Sequence, residues 1–304
     1  MSKSYRDGVS LLHSEEYLDD LRESWWNADF LELLGSRFRL SEVSSLVDVG
    51  CGQGHWGRLV LPLCSVNAEY WGIDPEEAWL RVAEDSLRDR DLRNCHFQVG
   101  SAERLPFEDA RFDLATCQTV LMHLADAGMG LREMVRVVRP GGLVVCAEPD
   151  TLRSVLPPSQ VAEKLELSEL LKILRLEVLM ARGRTAVGSG DYSIGDKLPG
   201  LLAEAGLESI EVFLSDKAFP LLPGLTQDPF QDQEDAWFEQ GAGPWDKDKA
   251  YLLCQSGGGS EDEFSEGWDA RRKAYEIERA LTRSGALSYS GGLVTYIASG
   301  RVKS

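Results

Sequence analysis

The spacing of hydrophobic positions in this 304-residue chain changes period along its length. Residues 14–38 carry Tyr17, Leu18, Leu21, Trp25, Trp26, Phe30 and Leu33 among charges, at roughly helical spacing, which predicts one or two helices. From residue 45 short apolar runs alternate with longer amphipathic ones. SLVDVG (45–50), EYWGID (69–74), NCHFQVG (94–100), RFDLATC (111–117) and GLVVCAEP (142–149) read as strands. HWGRLVLPLC (55–64), PEEAWLRVAEDSLRD (75–89) and the stretch 121–138 read as helices between them. Short apolar strands alternating with helices predict an α/β fold, a mostly parallel, doubly wound sheet covered on both faces. Ligands of such sheets bind beyond the carboxyl ends of the strands.

The pattern changes after the prolines at 157–158. A long apolar helix is expected over about 160–182, and a second over 194–206 that stops on Gly206, a usual residue past a helix end. LESIEVFLSD (207–216) reads as a strand. Residues 217–259 read as irregular, with GGGS (257–260) as a flexible joint. Ser260 and Glu263 have capping-box spacing and open a helix to about 284. The chain closes on a strand within 290–302. No internal repeat stands out.

Composition narrows the partners. The net charge is -18, so the basic footprint of a nucleic-acid binder is missing and an anionic membrane surface is disfavoured. No segment approaches the roughly 20 apolar residues of a membrane span, and the first residues lack an apolar signal stretch. The six cysteines form no CxxC pair and no metal-ligating spacing with the four histidines. The expectation is a reduced, cytoplasmic protein with no metal, no nucleic acid and no membrane, and with room for a homodimer.

The chemistry concentrates at LVDVGCGQGHWG (46–57), where a strand runs into Gly50, Gly52 and Gly54. A strand–glycine turn–helix unit aims backbone N–H groups and a helix start at a ligand. Gly52 to Gly57 fits GxGxxG, a dinucleotide pattern, which alone is weak. Asp48, inside the strand, gives DxGxGxG instead. A carboxylate there would repel a pyrophosphate and suit a ligand bearing an ammonium group.

In this second register LVDVGCGQG resembles the first motif of class I S-adenosylmethionine-dependent methyltransferases. WGID (71–74) resembles the second-strand motif. GSAERLPFEDARFDLATC (100–117) resembles the third-strand turn, the Leu-Pro-Phe signature and the fourth strand. REMVRVVRPGGLVV (132–145) resembles the helix, Pro-Gly-Gly turn and fifth strand. The nearest group is the broad one that includes the ubiquinone and menaquinone C-methyltransferases. The resemblance implies a Rossmann-like sheet with an antiparallel last strand, and S-adenosylmethionine as cofactor with S-adenosylhomocysteine as product.

It also implies roles. Asp48, Gly50, Cys51, Gly52 and Gly54 would surround the methionine part of the cofactor. Asp74 would bind the ribose hydroxyls, although Asp-Pro-Glu-Glu is also a good helix start with Asp as N-cap. Ser101, Ala102 and Glu103 would flank the adenine, with Ser101 standing where the family often has Asp. Cys117 and Gln118 match the fourth-strand exit past the methionine moiety. His123 is the candidate base, and His55 reads as solvent-facing in a first helical turn. After the fourth strand CQTV replaces the Asn/Asp-Pro-Pro-aromatic tetrad of enzymes that methylate planar nitrogens.

Three regions follow: N-terminal helices at 1–44, a cofactor-binding core at 45–216 and 290–304, and an insertion at 217–289. The insertion, the 160–182 helix and the N-terminal helices, with Tyr17, Trp25 and Trp26, are candidates for a substrate cap. Trp237, Phe238 and Trp245 belong to that insertion. The activity implied is methyl transfer to a small molecule by direct displacement. Methylation of tRNA or protein with a partner, an NAD-dependent oxidoreductase and an inactive cofactor-binding protein stand as alternatives.

Overall fold

The computed structural model describes residues 22, 23, 25–90, 92, 94–222 and 246–304. Tyr17, Trp237, Phe238 and Trp245 lie outside these. The described residues divide into two compact units, one within 13–150, 192–217 and 294–304, the other within 151–191 and 218–293.

The first unit is built on a seven-stranded sheet. Its strands are β1 (Ser45–Val49), β2 (Glu69–Asp74), β3 (Cys95–Val99), β4 (Phe112–Gln118), β5 (Val138–Pro149), β6 (Glu208–Leu214) and β9 (Thr295–Arg301). They lie in the order β3-β2-β1-β4-β5-β9-β6. All pairs from β3 to β5 are parallel, and β9 runs antiparallel to both β5 and β6. Helices α1 (Ala28–Phe38), α2 (His55–Val60), α3 (Glu77–Asp89), α4 (Ala127–Val137) and α7 (Leu198–Glu204) belong to this unit.

Alternation along the strands splits the core in two. Val47, Val49, Ala115, Cys117, Val144 and Cys146 face α4 and α7 through Leu131, Met134, Leu198 and Leu202. Leu46, Tyr70, Leu114, Val145 and Ile297 face the opposite side, against Phe30 and Leu34 of α1 and Trp56 and Val60 of α2. Strands buried on both faces lose the polar alternation of a half-exposed sheet, which is why they read as continuous apolar runs. Trp26 belongs to this second core, 5.1 Å from Trp56 between ring centres, and Trp25 packs against its edge.

Several boundaries differ from expectation. The helix foreseen from residue 75 starts at Glu77 with Glu76 as N-cap. Asp74 instead accepts the Glu76 N–H in a tight turn ahead of the helix (2.9 Å). The stretch 121–138 is a short 3-10 turn at Leu121–His123 followed by α4, capped by Asp126. The Pro-Gly-Gly turn is absorbed into a long β5, whose pairing with β4 jumps register after Phe112.

The second unit contains α5 (Ser159–Ala162), α6 (Leu167–Ala186), α8 (Lys247–Ser256), α9 (Glu261–Arg283) and a two-stranded ribbon of β7 (Phe219–Leu221) and β8 (Tyr289–Gly291). Helix α8 falls inside the segment read as irregular. Asp246 caps it by accepting the N–H groups of Asp248 and Lys249, and it buries Ala250, Leu253 and Cys254 against Leu176, Leu179 and Met180 of α6. The glycines at 257–259 are no flexible joint. Gly258 takes φ +90°, Gly259 N–H returns to the Cys254 carbonyl, and Gly257 lies so close to the Leu179 carbonyl that no Cβ fits. Ser260 and Glu263 form the expected capping box at the start of α9. No helix of the described residues is long and apolar enough to cross a membrane.

Candidate functional site

A cleft of about 140 Å3 opens at the carboxyl ends of β1, β2 and β4. β1 and β4 are neighbours whose chains leave in opposite directions, the position where doubly wound sheets hold ligands.

The glycine turn forms one wall. Gly50, Gly52 and Gly54 take φ +65°, +51° and +82°, a region that favours glycine strongly. A Cβ on Gly50 would lie 2.5 Å from a Val120 methyl. The turn is tied to β2 by two bonds: Cys51 N–H donates to the Ile73 carbonyl, and Gly52 N–H to Asp74 Oδ2 (both 3.0 Å). Gly57, the last glycine of the dinucleotide register, packs against the Tyr70 ring and hydroxyl, so its role here is close packing of helix on strand.

Of the residues foreseen from the sequence, Gly50, Asp74, Ser101, Ala102, Gln118 and His123 line this cleft together. The other six do not. Asp48 is buried beneath the turn, where its Oδ2 accepts the Tyr70 hydroxyl (2.8 Å). Burial pushes its carboxyl up to about 7, the Tyr70 bond opposes this, and the Asp74 charge adds to it. Gly52 and Gly54 shape the turn, and Cys51 is buried behind it. Cys117 points into the core. A hydrogen bond with Cys146 and burial raise its thiol well above the usual range, so it stays neutral. Glu103 follows Ser101, whose hydroxyl accepts its N–H (3.2 Å).

His55 is 3% exposed rather than solvent-facing. Its Nδ1 lies 2.6 Å from Arg58 Nη2, and Arg58 also pairs with Glu23 (2.5 Å) and donates to the Gln53 carbonyl (2.9 Å).

The third-strand turn is held from below. Arg136 donates to the carbonyls of Phe107 (2.8 Å) and Leu105 (3.1 Å), while Glu133 accepts the Leu105 N–H (2.8 Å). Leu105 and Phe107 thereby sit in the core and leave Ser101 and Ala102 at the cleft. Across from them runs the segment after β4. Gln118 is 5% exposed, and its Nε2 has no hydrogen-bond partner among the described residues. A buried amide without a partner is costly unless something else supplies an acceptor. His123 meets Tyr192 edge to face at 5.1 Å.

Arg22, Trp79, Thr119, Val120 and Leu124 also line the cleft and were not foreseen. Trp79 lies in the first turn of the helix after Asp74, a position the second-strand motif could have indicated. Arg22 lies far from any motif. Its guanidinium reaches the Thr119 hydroxyl (3.4 Å).

Residues 47–146 match a family described as "Methyltransferase domain". This stretch of the chain is a methyltransferase domain. This methyltransferase domain is similar to an uncharacterized methyltransferase of Schizosaccharomyces pombe, 34% identical over 140 residues, 44% of this chain and 50% of that protein. It is similar to a demethylmenaquinone methyltransferase of Staphylococcus haemolyticus, 29% identical over 174 residues, 56% of this chain and 70% of that protein. The chain spans about half the length of most of the curated relatives it matches. A proposed methyltransferase of Bacillus halodurans has the same fold, with a TM-score of 0.52 at 17% identity over 91% of this chain and 100% of that one. So does YcgJ of Bacillus subtilis, with a TM-score of 0.51 at 17% identity and the same coverage. The strand order and the antiparallel β9 agree with the fold that the motifs implied.

Proposed function

We propose that the protein binds S-adenosylmethionine in this cleft and transfers its methyl group to a small, partly apolar acceptor. The observation that carries the reading is the convergence on one cleft of Gly50, Asp74 and Ala102, from three motifs, and of Gln118 at the end of the fourth strand. The residues fit the cofactor. Asp74 accepts the Gly52 and Glu76 N–H groups and lines the cleft, where a carboxylate suits a ribose diol. The buried Gln118 amide needs an acceptor, and the amino-acid end of the cofactor carries carboxylate oxygens. Gly50 lets the Val120 side chain close against the turn, where a Cβ would clash.

The cofactor supplies a methyl group on a positive sulfur, an activated leaving group that needs no protein nucleophile. The chain's own task is alignment and exclusion of water. The glycine turn and Gln118 hold one end of the ligand, Asp74 the ribose, and the Ala102 backbone with Ser101 the adenine. His123, which lines the cleft, is the candidate base. Apolar Val120, Leu124 and Trp79 favour an acceptor with apolar surface. The six cysteines, none in a disulfide, suit a reducing cytoplasmic setting.

Calorimetric titration with S-adenosylmethionine, S-adenosylhomocysteine and NAD tests this. Saturable binding of the first two with none of NAD is expected. Binding of NAD alone would overturn the assignment.

A further inference from the structure

Glu148, near the end of β5, is fully buried and pairs with no cation among the described residues. Its Oε1 accepts the N–H groups of Val120 (2.9 Å) and Leu121 (2.8 Å), and its Oε2 the N–H of Met122 (3.3 Å). Three successive backbone donors thus converge on one carboxylate. The segment they belong to is the cleft wall formed by Gln118, Thr119, Val120, His123 and Leu124. That wall begins with a demanding conformation. Thr119 takes φ +53°, which a β-branched residue rarely adopts, and its N–H is held by the Ala147 carbonyl (2.9 Å).

The wall also meets the glycine turn. The Val120 side chain lies where a Gly50 Cβ would be, so the Val120 backbone sets how closely the two walls approach. A chain of direct contacts therefore runs from Glu148 through the Val120 N–H and side chain to Gly50.

We propose that Glu148 is a positioning residue for ligand binding: its carboxylate fixes the 118–124 wall against the glycine turn and so sets the width of the cofactor cleft. Deepening the cofactor assignment, this inference rests on that reading for its ligand only. The ionisable neighbours of Glu148 are Cys117 on β4, Cys146 on its own strand and Tyr296, opposite it on β9. Burial pushes the Glu148 carboxyl up to about 7, against the three N–H bonds, so its charge opposes folding above that pH.

Opposite effects on stability and binding separate positioning from simple support. Glu148→Gln can keep an acceptor for Val120 and Leu121 but turns a donor or loses reach toward the Met122 N–H, and it carries no charge. The experiment measures melting temperature at pH 8.5 and S-adenosylhomocysteine affinity by calorimetry, for wild type and Glu148→Gln. The expected result is an unchanged or higher melting temperature with at least tenfold weaker binding. A loss of stability in proportion to binding, or unchanged affinity, would overturn the positioning role.

Amide hydrogen exchange at residues 120–122 gives a readout that needs neither ligand nor variant. In wild type these amides should exchange at least a hundredfold slower than unprotected ones, and exchange near the unprotected rate would overturn the clasp. Absence of S-adenosylhomocysteine binding to wild type would refute the cofactor assignment instead, leaving the clasp to be judged by exchange.

Discussion

Asp48, expected from the sequence to repel a pyrophosphate and favour an ammonium group, instead lies beneath the glycine turn with its charge suppressed and does not line the cleft. Its carboxyl rises from the ordinary 3.8 to about 7, with burial as the main cause. A folded-state value above the unfolded one means that stability is fully present below pH 3.8 and is lost as pH rises through 7. Keeping Asp48 charged at alkaline pH therefore costs roughly 4 kcal/mol relative to the unfolded chain. Between pH 8.5 and 5.5, protonation recovers about 2 kcal/mol of this. The groups around it are the Tyr70 hydroxyl, the Gly57 N–H and the Asp74 carboxylate. Burial raises Tyr70 well above its usual range, so it stays protonated throughout.

Asp48→Asn removes the titration while keeping an acceptor for Tyr70. Thermal melting of both proteins across this range is the assay. The variant should gain on wild type as pH rises, by a difference of differences of about 2 kcal/mol, on the order of 4–8 °C. Glu148 titrates alike in both and cancels. Parallel melting curves across pH would refute the reasoning, and with it the view that Asp48 is shielded from solvent.

Three further outcomes follow from single contacts. Gly50→Ala places a β-carbon 2.5 Å from Val120 and forces φ +65° on alanine, at about 1–2 kcal/mol for the conformation alone. S-adenosylhomocysteine affinity should fall at least tenfold while circular dichroism is unchanged. Asp74→Ala leaves the Gly52 and Glu76 N–H groups without their acceptor, at about 1–3 kcal/mol for each if desolvated, and calorimetric cofactor binding should be lost. Unchanged affinity would make Asp74 only an organiser of the turn. Gly183→Ala drives a methyl into the Leu253 carbonyl between α6 and α8, at about 1–3 kcal/mol. Amide exchange should quicken in those two helices and hold steady in the sheet.

The sheet was legible because strands buried on both faces leave a strong signal, and the glycines at 50, 52 and 54 mark a turn few other residues tolerate. The cleft was half legible. Gly50, Asp74 and Gln118 sit in motifs, but side-chain direction at a strand end is not read from a motif, so Cys117 and Gln118 looked equivalent although they face opposite ways. Glu148 was hidden because a carboxylate at a strand end looks solvated until the loop it bonds is folded around it. Helix α8 was hidden by its surroundings: glycine, proline and tryptophan before it and three glycines after it outweighed a ten-residue pattern that buries only Ala250, Leu253 and Cys254. The glycines at 257–259 have the composition of a linker, yet close helix packing selects the same residue for the opposite reason.

The position of β9 governs the order in which the sheet can be completed. It lies between β5 and β6, and its pairing of Val144 with Gly300 joins residues about 150 positions apart. Closing so long a loop is entropically slow, and the second unit's segments at 151–191 and 218–293 must be accommodated within it. Until β9 docks, β5 and β6 both present unpaired edges, the surfaces on which nascent sheets aggregate. During synthesis the ribosome must therefore release nearly the whole described chain before those two edges can be closed.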